Sequence, residues 1–255
     1  MIIDSHCHFC YPELLDQETQ VLQRMHDAGV GMALNISTCG DDIPQVVAFA
    51  QRHDGIFASV GFHPDMEEAV EPTEVDIIRL AQAPKVIAIG ETGLDYYRLQ
   101  EPLDWQRERF RRHIRAARAL GKPLIIHTRN APDDTLRILR EENAAEVGGI
   151  LHCFTESLEF AHAAIDLGFL ISFSGIVTFK SARSLREVAA ALPDEAILVE
   201  TDAPFLAPTP YRGKVNEPAW VSLVAQELAR LRNQDPAHIN AVTTKNFCRL
   251  FNVLQ

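Results

Sequence analysis

Four histidines and two carboxylates recur in one kind of place along this chain: His6, His8, Glu91, His127, His152 and Asp202 each close a short apolar, β-branched run of the type that forms strands. Side chains alternate along a strand. His6 and His8 therefore point the same way with Cα atoms about 6.6 Å apart, close enough for both imidazoles to hold one ion, while Cys7 points away. A lone histidine at a strand end is ordinarily a hydrogen-bonded structural group, whereas four converging with two carboxylates describe a metal centre. The set exceeds what one tetrahedral cation uses, which predicts two divalent cations with Glu91 as the shared carboxylate. Imidazoles suit zinc or manganese and oxygen donors suit magnesium, so all three metals stay open. Two divalent cations against two carboxylates leave a net positive site, suited to a hydroxide nucleophile and an anionic substrate, with Glu91 and Asp202 as the catalytic carboxylates.

Other residues fall around this set. Glu200 stands two positions before Asp202, on the same strand face and one layer deeper, where a carboxylate needs a partner; it is expected to support a metal-binding residue. His63, after the third strand, faces the mouth and is expected to touch substrate. Arg129 after the fifth strand and Arg212 after the eighth border the metal face and form a candidate phosphate clamp, with Lys180, Arg183 and Lys214 nearby in sequence. Tyr96, Tyr97 and Phe179 offer faces for stacking bases. His26, His53, His113, His162 and His238 fall in helical or loop segments and read as surface groups.

The elements that must position these residues are eight strands, read at 1–6, 31–37, 56–62, 86–91, 123–127, 149–153, 169–174 and 196–202. Segments of helical period follow them, which is the pattern of parallel strands with crossover helices. At 104–120, Trp105, Phe110, Ile114, Ala117 and Leu120 form an apolar stripe opposite five arginines, and Gly121 with Pro123 ends the helix. Two more helices, about 217–232 and 236–250, close the chain. An open doubly wound sheet would carry a glycine-rich loop after its first strand; HCHFCYPE stands there instead. The expected fold is therefore an α/β single-domain (β/α)8 TIM barrel over 1–255, with its chemistry at the C-terminal strand ends. In that frame Lys85 opens the fourth strand at the opposite end, so a modified lysine bridge is not expected.

With 47% hydrophobic and 23% charged residues the composition is that of a globular protein, and no apolar run approaches a membrane span. A net charge of −11 argues against a broad basic nucleic-acid face while permitting a small phosphate-reading patch. Five cysteines without a disulfide-like framework suit a reducing compartment, and Cys7 with Cys10 lacks the second pair that a structural zinc site needs. Metal-binding residues at 6 and 8 occupy the place of a signal's apolar stretch, so a cytoplasmic protein is expected.

Nearly end to end, the chain resembles the TatD family of metal-dependent deoxyribonucleases, a branch of the amidohydrolase-like barrels. The resemblance rests on DSHCHF at 4–9, GFHP at 61–64, GETGLDYY at 90–97, IHTR at 126–129, HCF at 152–154, ETDAP at 200–204 and YRGKVNEP at 211–218. It implies that His6, His8, Glu91 and Asp202 hold one cation and Glu91, His127 and His152 the other. It also implies phosphodiester hydrolysis by a metal-activated hydroxide, often as a 3′–5′ exonuclease on single-stranded DNA or RNA. The competing expectations are an amidohydrolase or lactonase acting on a small molecule and, from another class, a non-catalytic metal-binding interaction protein. The basic loops favour phosphate over carbonyl, and the complete ligand set argues against lost catalysis.

Overall fold

Strand and helix alternate through the computed structural model, which describes residues 1–67, 70–98 and 103–253. The strands are β1 (Ile2–Cys7), β2 (Val30–Asn35), β3 (Ile56–Val60), β4 (Val86–Asp95), β5 (Leu124–Arg129), β6 (Gly149–Leu151), β7 (Phe169–Phe173) and β8 (Ile197–Val199). The helices are α1 (Pro12–Leu15), α2 (Glu18–Asp27), α3 (Ile43–Arg52), α4 (Glu74–Leu80), α5 (Asp104–Leu120), α6 (Pro132–Glu141), α7 (Leu158–Ile165), α8 (Arg183–Ala191), α9 (Val221–Arg232) and α10 (Pro236–Phe251). Every strand pairs in parallel with its neighbour in chain order. The seam between β8 and β1 closes at the upper end, where the His8 amide donates to the Ala203 carbonyl (2.8 Å) and the Asp202 amide to the His6 carbonyl (2.9 Å). This is the expected (β/α)8 barrel.

Period-two alternation sorts each strand between two cores. Ile2, Ala33, Leu124, Ile126, Leu151, Ile171 and Ile197 pack outward against the helices. Ile3, Leu34, Ala88, Ile125, Ile150, Leu170 and Leu198 form an inner cluster, plugged from below by Phe247 and Phe251 of α10. α5 has the expected bounds, and Gly121 ends it in the left-handed conformation (φ 62°).

The strand ends differ from the sequence reading. β4 runs on to Asp95 and pairs with β5 through Gly93 opposite His127 and Asp95 opposite Arg129. Gly93 (φ 139°) makes that approach possible, since a Cβ there would lie 1.9 Å from the His127 carbonyl oxygen. β6 and β8 are shorter than expected, and beyond them the chain turns through positive φ at Cys153 (43°) and Asp202 (57°). No helix among the described residues is long and apolar enough to cross a membrane.

Candidate metal centre

The six expected ligands meet over the inner cluster, with Glu91 at their middle. Its Oε2 faces one side, 3.4 Å from His6 Nε2 and 4.0 Å from His8 Nε2. Its Oε1 faces the other, 2.7 Å from His152 Nε2 and 3.2 Å from His127 Nδ1. Asp202 Oδ1 lies beside the first pair, 3.6 Å from His6 Nε2 and 3.3 Å from His8 Nε2. The His6 and His152 rings stack at 3.8 Å with an 8° interplanar angle, so each fixes the other's plane. His63 approaches more closely than a mouth residue would, with Nε2 3.2 Å from Glu91 Oε1, and joins Glu91 and His127 in a third group of converging donor atoms.

The donor set fits divalent cations. His6, His8 and Glu91 offer atoms that all lie within 4.8 Å of one another, and so do His63, Glu91 and His127. His6 Nδ1, both ring nitrogens of His152 and Glu200 Oε2 are buried without a hydrogen-bond partner among the described residues. Buried polar atoms are normally satisfied, so donors that approach a carboxylate without hydrogen-bond geometry point at a shared ligand.

Each imidazole is anchored from behind. His8 Nδ1 donates to the Ile36 carbonyl (3.3 Å), which aims Nε2 at the cluster. His127 Nε2 contacts Asp95 Oδ2 (3.1 Å), which leaves Nδ1 facing Glu91. Glu200, fully buried, accepts from the Cys153 amide (2.7 Å) and stands 3.4 Å from His152 Nδ1. Asp4 holds the Asp202 turn by accepting from the Thr201 amide (2.9 Å) and hydroxyl (2.6 Å). The sequence reading missed Asp4 and Asp95, although DSH and GLD placed both beside strand ends.

The His63 loop is carried by α5. Gln106 Nε2 donates to the Pro64 carbonyl (2.9 Å), Arg109 donates to the carbonyls of His63 (3.0 Å) and Met66 (2.9 Å), and His113 Nε2 accepts from the Phe62 amide (3.1 Å). His113 is thus fully buried, not a surface group, because it lies on the face of α5 turned toward that loop. His63 Nδ1 is bonded to Asp65, whose carboxylate also accepts from Arg98 (2.5 Å).

Burial opposes ionisation of Glu91, yet the charges of His152 and His63 and the contact with His127 outweigh it and hold the carboxyl well below its usual range. Asp202 is lowered in the same way, burial being overcome by His8 and His6. Asp95 falls to about 2 because His127 and the Arg98 amide outweigh its burial. Asp4, where burial prevails over its hydrogen bonds, rises to about 8.

Above the cluster opens a cleft of about 510 Å³. Arg129 lines it, with its guanidinium 3.8 Å from the centre of the Tyr97 ring. Arg98, which the sequence reading passed over, lines it too. Arg212 does not line the cleft; it lies over Phe179 at 4.4 Å. The Tyr96 hydroxyl donates to Asp134 (2.6 Å), away from a stacking role.

Relatives share this arrangement's sequence over its full length. A profile of the family described as "TatD related DNase" matches residues 3–252. The chain is 44% identical over 256 residues to the uncharacterized metal-dependent hydrolase YcfH of Escherichia coli K12, covering 99% of this chain and 96% of that one. It is 39% identical to the uncharacterized metal-dependent hydrolase YabD of Bacillus subtilis, covering 99% and 100%. The crystal structure of YjjV, a TatD homologue from E. coli K12, superposes with a TM-score of 0.92 at 30% identity over 99% of this chain and 98% of that one. The chain therefore belongs to the TatD-related DNase family and is a metal-dependent hydrolase.

Proposed function

We propose that the protein hydrolyses phosphodiester bonds of single-stranded nucleic acid, as a 3′–5′ exodeoxyribonuclease in the cytoplasm, at a site for two divalent cations. One observation carries this reading: Glu91 turns one carboxylate oxygen to His6 and His8 and the other to His127 and His152, directly beneath a cleft bordered by Arg129 and Arg98. Bound cations supply Lewis acidity and acidify a water in such a site. His6, His8, Glu91 and Asp202 are assigned to one cation and Glu91, His127 and His152 to the other. Asp202, with 14% of its side chain exposed, is the carboxylate positioned to take a proton from the attacking water. His63, fixed through Asp65, orients Nε2 toward the same space.

The guanidinium groups of Arg129 and Arg98 bind the phosphate next to the scissile bond, and the excess positive charge of a loaded site favours that anion over a neutral amide or lactone. Five unpaired cysteines suit a reducing compartment.

The test is a panel of single-stranded DNA, RNA, a chromogenic phosphodiester, a lactone and an amide, each with magnesium, manganese and zinc. Cleavage of the phosphodiesters is expected, with Arg129→Ala raising KM by about 10-fold or more through loss of a charged contact. Turnover confined to the lactone or amide overturns the assignment.

A further inference from the structure

The cleft has two unlike walls. Arg98, Thr128 and Arg129 stand on the side of β4 and β5; Tyr11, Ile176, Phe205 and Leu206 stand on the side of the loops after β1, β7 and β8. The proposed function uses the floor and the cationic wall and leaves the apolar wall without a role.

Phe205 is the prominent group of that wall. It keeps 46% of its surface exposed, three residues after Asp202. Its ring meets Tyr11 at 5.4 Å and His8 at 6.2 Å between centroids, both edge to face. The loop that presents it is pinned. The Phe205 amide donates to the Asp202 carbonyl (2.9 Å), and the fully buried Asn216 donates through Nδ2 to the carbonyls of Thr201 (2.9 Å) and Phe205 (2.6 Å). Leu206 follows in the left-handed region (φ 55°), disfavoured for a residue with a Cβ. Its carbonyl oxygen packs so closely on Gly175 that a Cβ there would lie 2.0 Å away. The exposure of Phe205 is thus imposed by the scaffold and is not the fraying of a loop tip.

The aromatic rings suggested by sequence have partners of their own. Tyr97 lies under Arg129, Phe179 under Arg212 and Tyr96 under Arg107. Among the described residues no guanidinium lies over Phe205. A cleft that pairs cations on one wall with a rigid, exposed aromatic ring on the other matches a ligand that joins an anion to a flat apolar ring, as a nucleotide does.

We propose that Phe205 is the stacking platform for a nucleobase of the substrate, forming a nucleotide subsite whose phosphate lies toward the cationic wall and the metal-binding floor. The proposal rests on the phosphodiester reading and adds a base-specific contact to it.

The test measures binding of dAMP and of deoxyribose 5-phosphate to the protein carrying its divalent cations, by calorimetry. The two share the sugar and phosphate and differ only in the base. Wild type should bind dAMP about 10-fold or more tightly than deoxyribose 5-phosphate, at least about 1.4 kcal/mol. Phe205→Ala should reduce that ratio toward one, and Phe205→Trp should keep it; circular dichroism confirms that both variants fold. Equal binding of the two compounds by wild type, or a ratio that survives Phe205→Ala, overturns the platform while leaving phosphate recognition standing. Binding of neither compound removes the platform and the phosphodiester reading together.

Discussion

Both ends of this barrel are built on the same strands, yet one end is apolar and the other carries the chemistry. Ile125, Ile150 and Leu198 of the inner cluster are each followed two residues later by His127, His152 and Glu200. One period of the pleat, about 6.6 Å, separates a dry plug from a charged cluster. The plug is closed by Phe247 and Phe251, which belong to the inner apolar cluster, while the upper layer buries charge that only partners or cations can compensate. Stability and chemistry thus occupy adjacent layers and can be perturbed separately.

The largest effect that sharpens this contrast should come from Glu91, whose two oxygens serve both halves of the cluster. Glu91→Ala is expected to lower hydrolysis by about 10³-fold or more and to reduce the bound content of both cations together. Chelator-treated wild type and variant should unfold at similar urea concentrations. A variant that retains two ions by elemental analysis and turns over normally would end Glu91's bridging assignment. Next comes the plug: Phe247→Ala should cost about 3–5 kcal/mol through a cavity under the barrel, read as a lower urea midpoint. Cation affinity should not change, and a parallel loss of affinity would show that the two layers are coupled.

The same two layers explain what the sequence made legible. Apolar alternation and punctuating glycines gave all eight strands and the bounds of α5. His127 and His152 could be placed from alternation because β5 and β6 keep their phase up to them. Three candidate ligands, His6, His8 and Glu91, needed more than alternation. Ile3 of β1 faces inward, which by strict period two turns His6 and His8 outward; the register shift between Asp4 and Cys7 reverses the phase. Likewise Ala88 faces inward, and the shift between Ile89 and Thr92 brings Glu91 round. Residue type singled out these candidate ligands where periodicity would have hidden them. His113, Arg109 and Gln106 stayed illegible for the opposite reason: polar residues on a helix read as solvent-facing, and only the fold brings the His63 loop against them.

That buried face of α5 makes a pH prediction. Burial, with the nearby charges of Arg109 and Arg112, lowers His113 to about 4 despite its hydrogen bond to the Arg109 carbonyl. In the unfolded chain a histidine titrates near 6.5. Between those values the unfolded chain binds more protons, so the contribution of His113 is complete above about pH 6.5 and is lost as pH falls toward 4, about 3 kcal/mol in all. His113→Gln still offers an acceptor to the Phe62 amide but does not titrate. Urea unfolding from pH 7 to pH 4 should therefore be less pH-dependent in the variant than in wild type. Identical slopes would place the acid sensitivity elsewhere.

The smallest effect tests whether the upper layer itself divides into halves. Asp95 Oδ1 accepts from the amides of Tyr97 and Arg98, both at 2.9 Å, while Oδ2 faces His127 Nε2 at 3.1 Å. In Asp95→Asn the side-chain oxygen can keep both amide bonds, so the turn after β4 stays in place. The new amide NH2 then faces Nε2 as a donor and requires an unprotonated nitrogen there. His127 must carry its proton on Nδ1, the nitrogen turned toward Glu91, and loses the lone pair it would give to a cation. One of two binding steps in a cation titration should weaken by about 10–100-fold, the scale of such supporting contacts, while the step assigned to His6, His8 and Asp202 keeps its affinity. Weakening of both steps by the same factor would mean that the cluster behaves as one unit through Glu91, and no change in either would remove Asp95 from the orientation of His127.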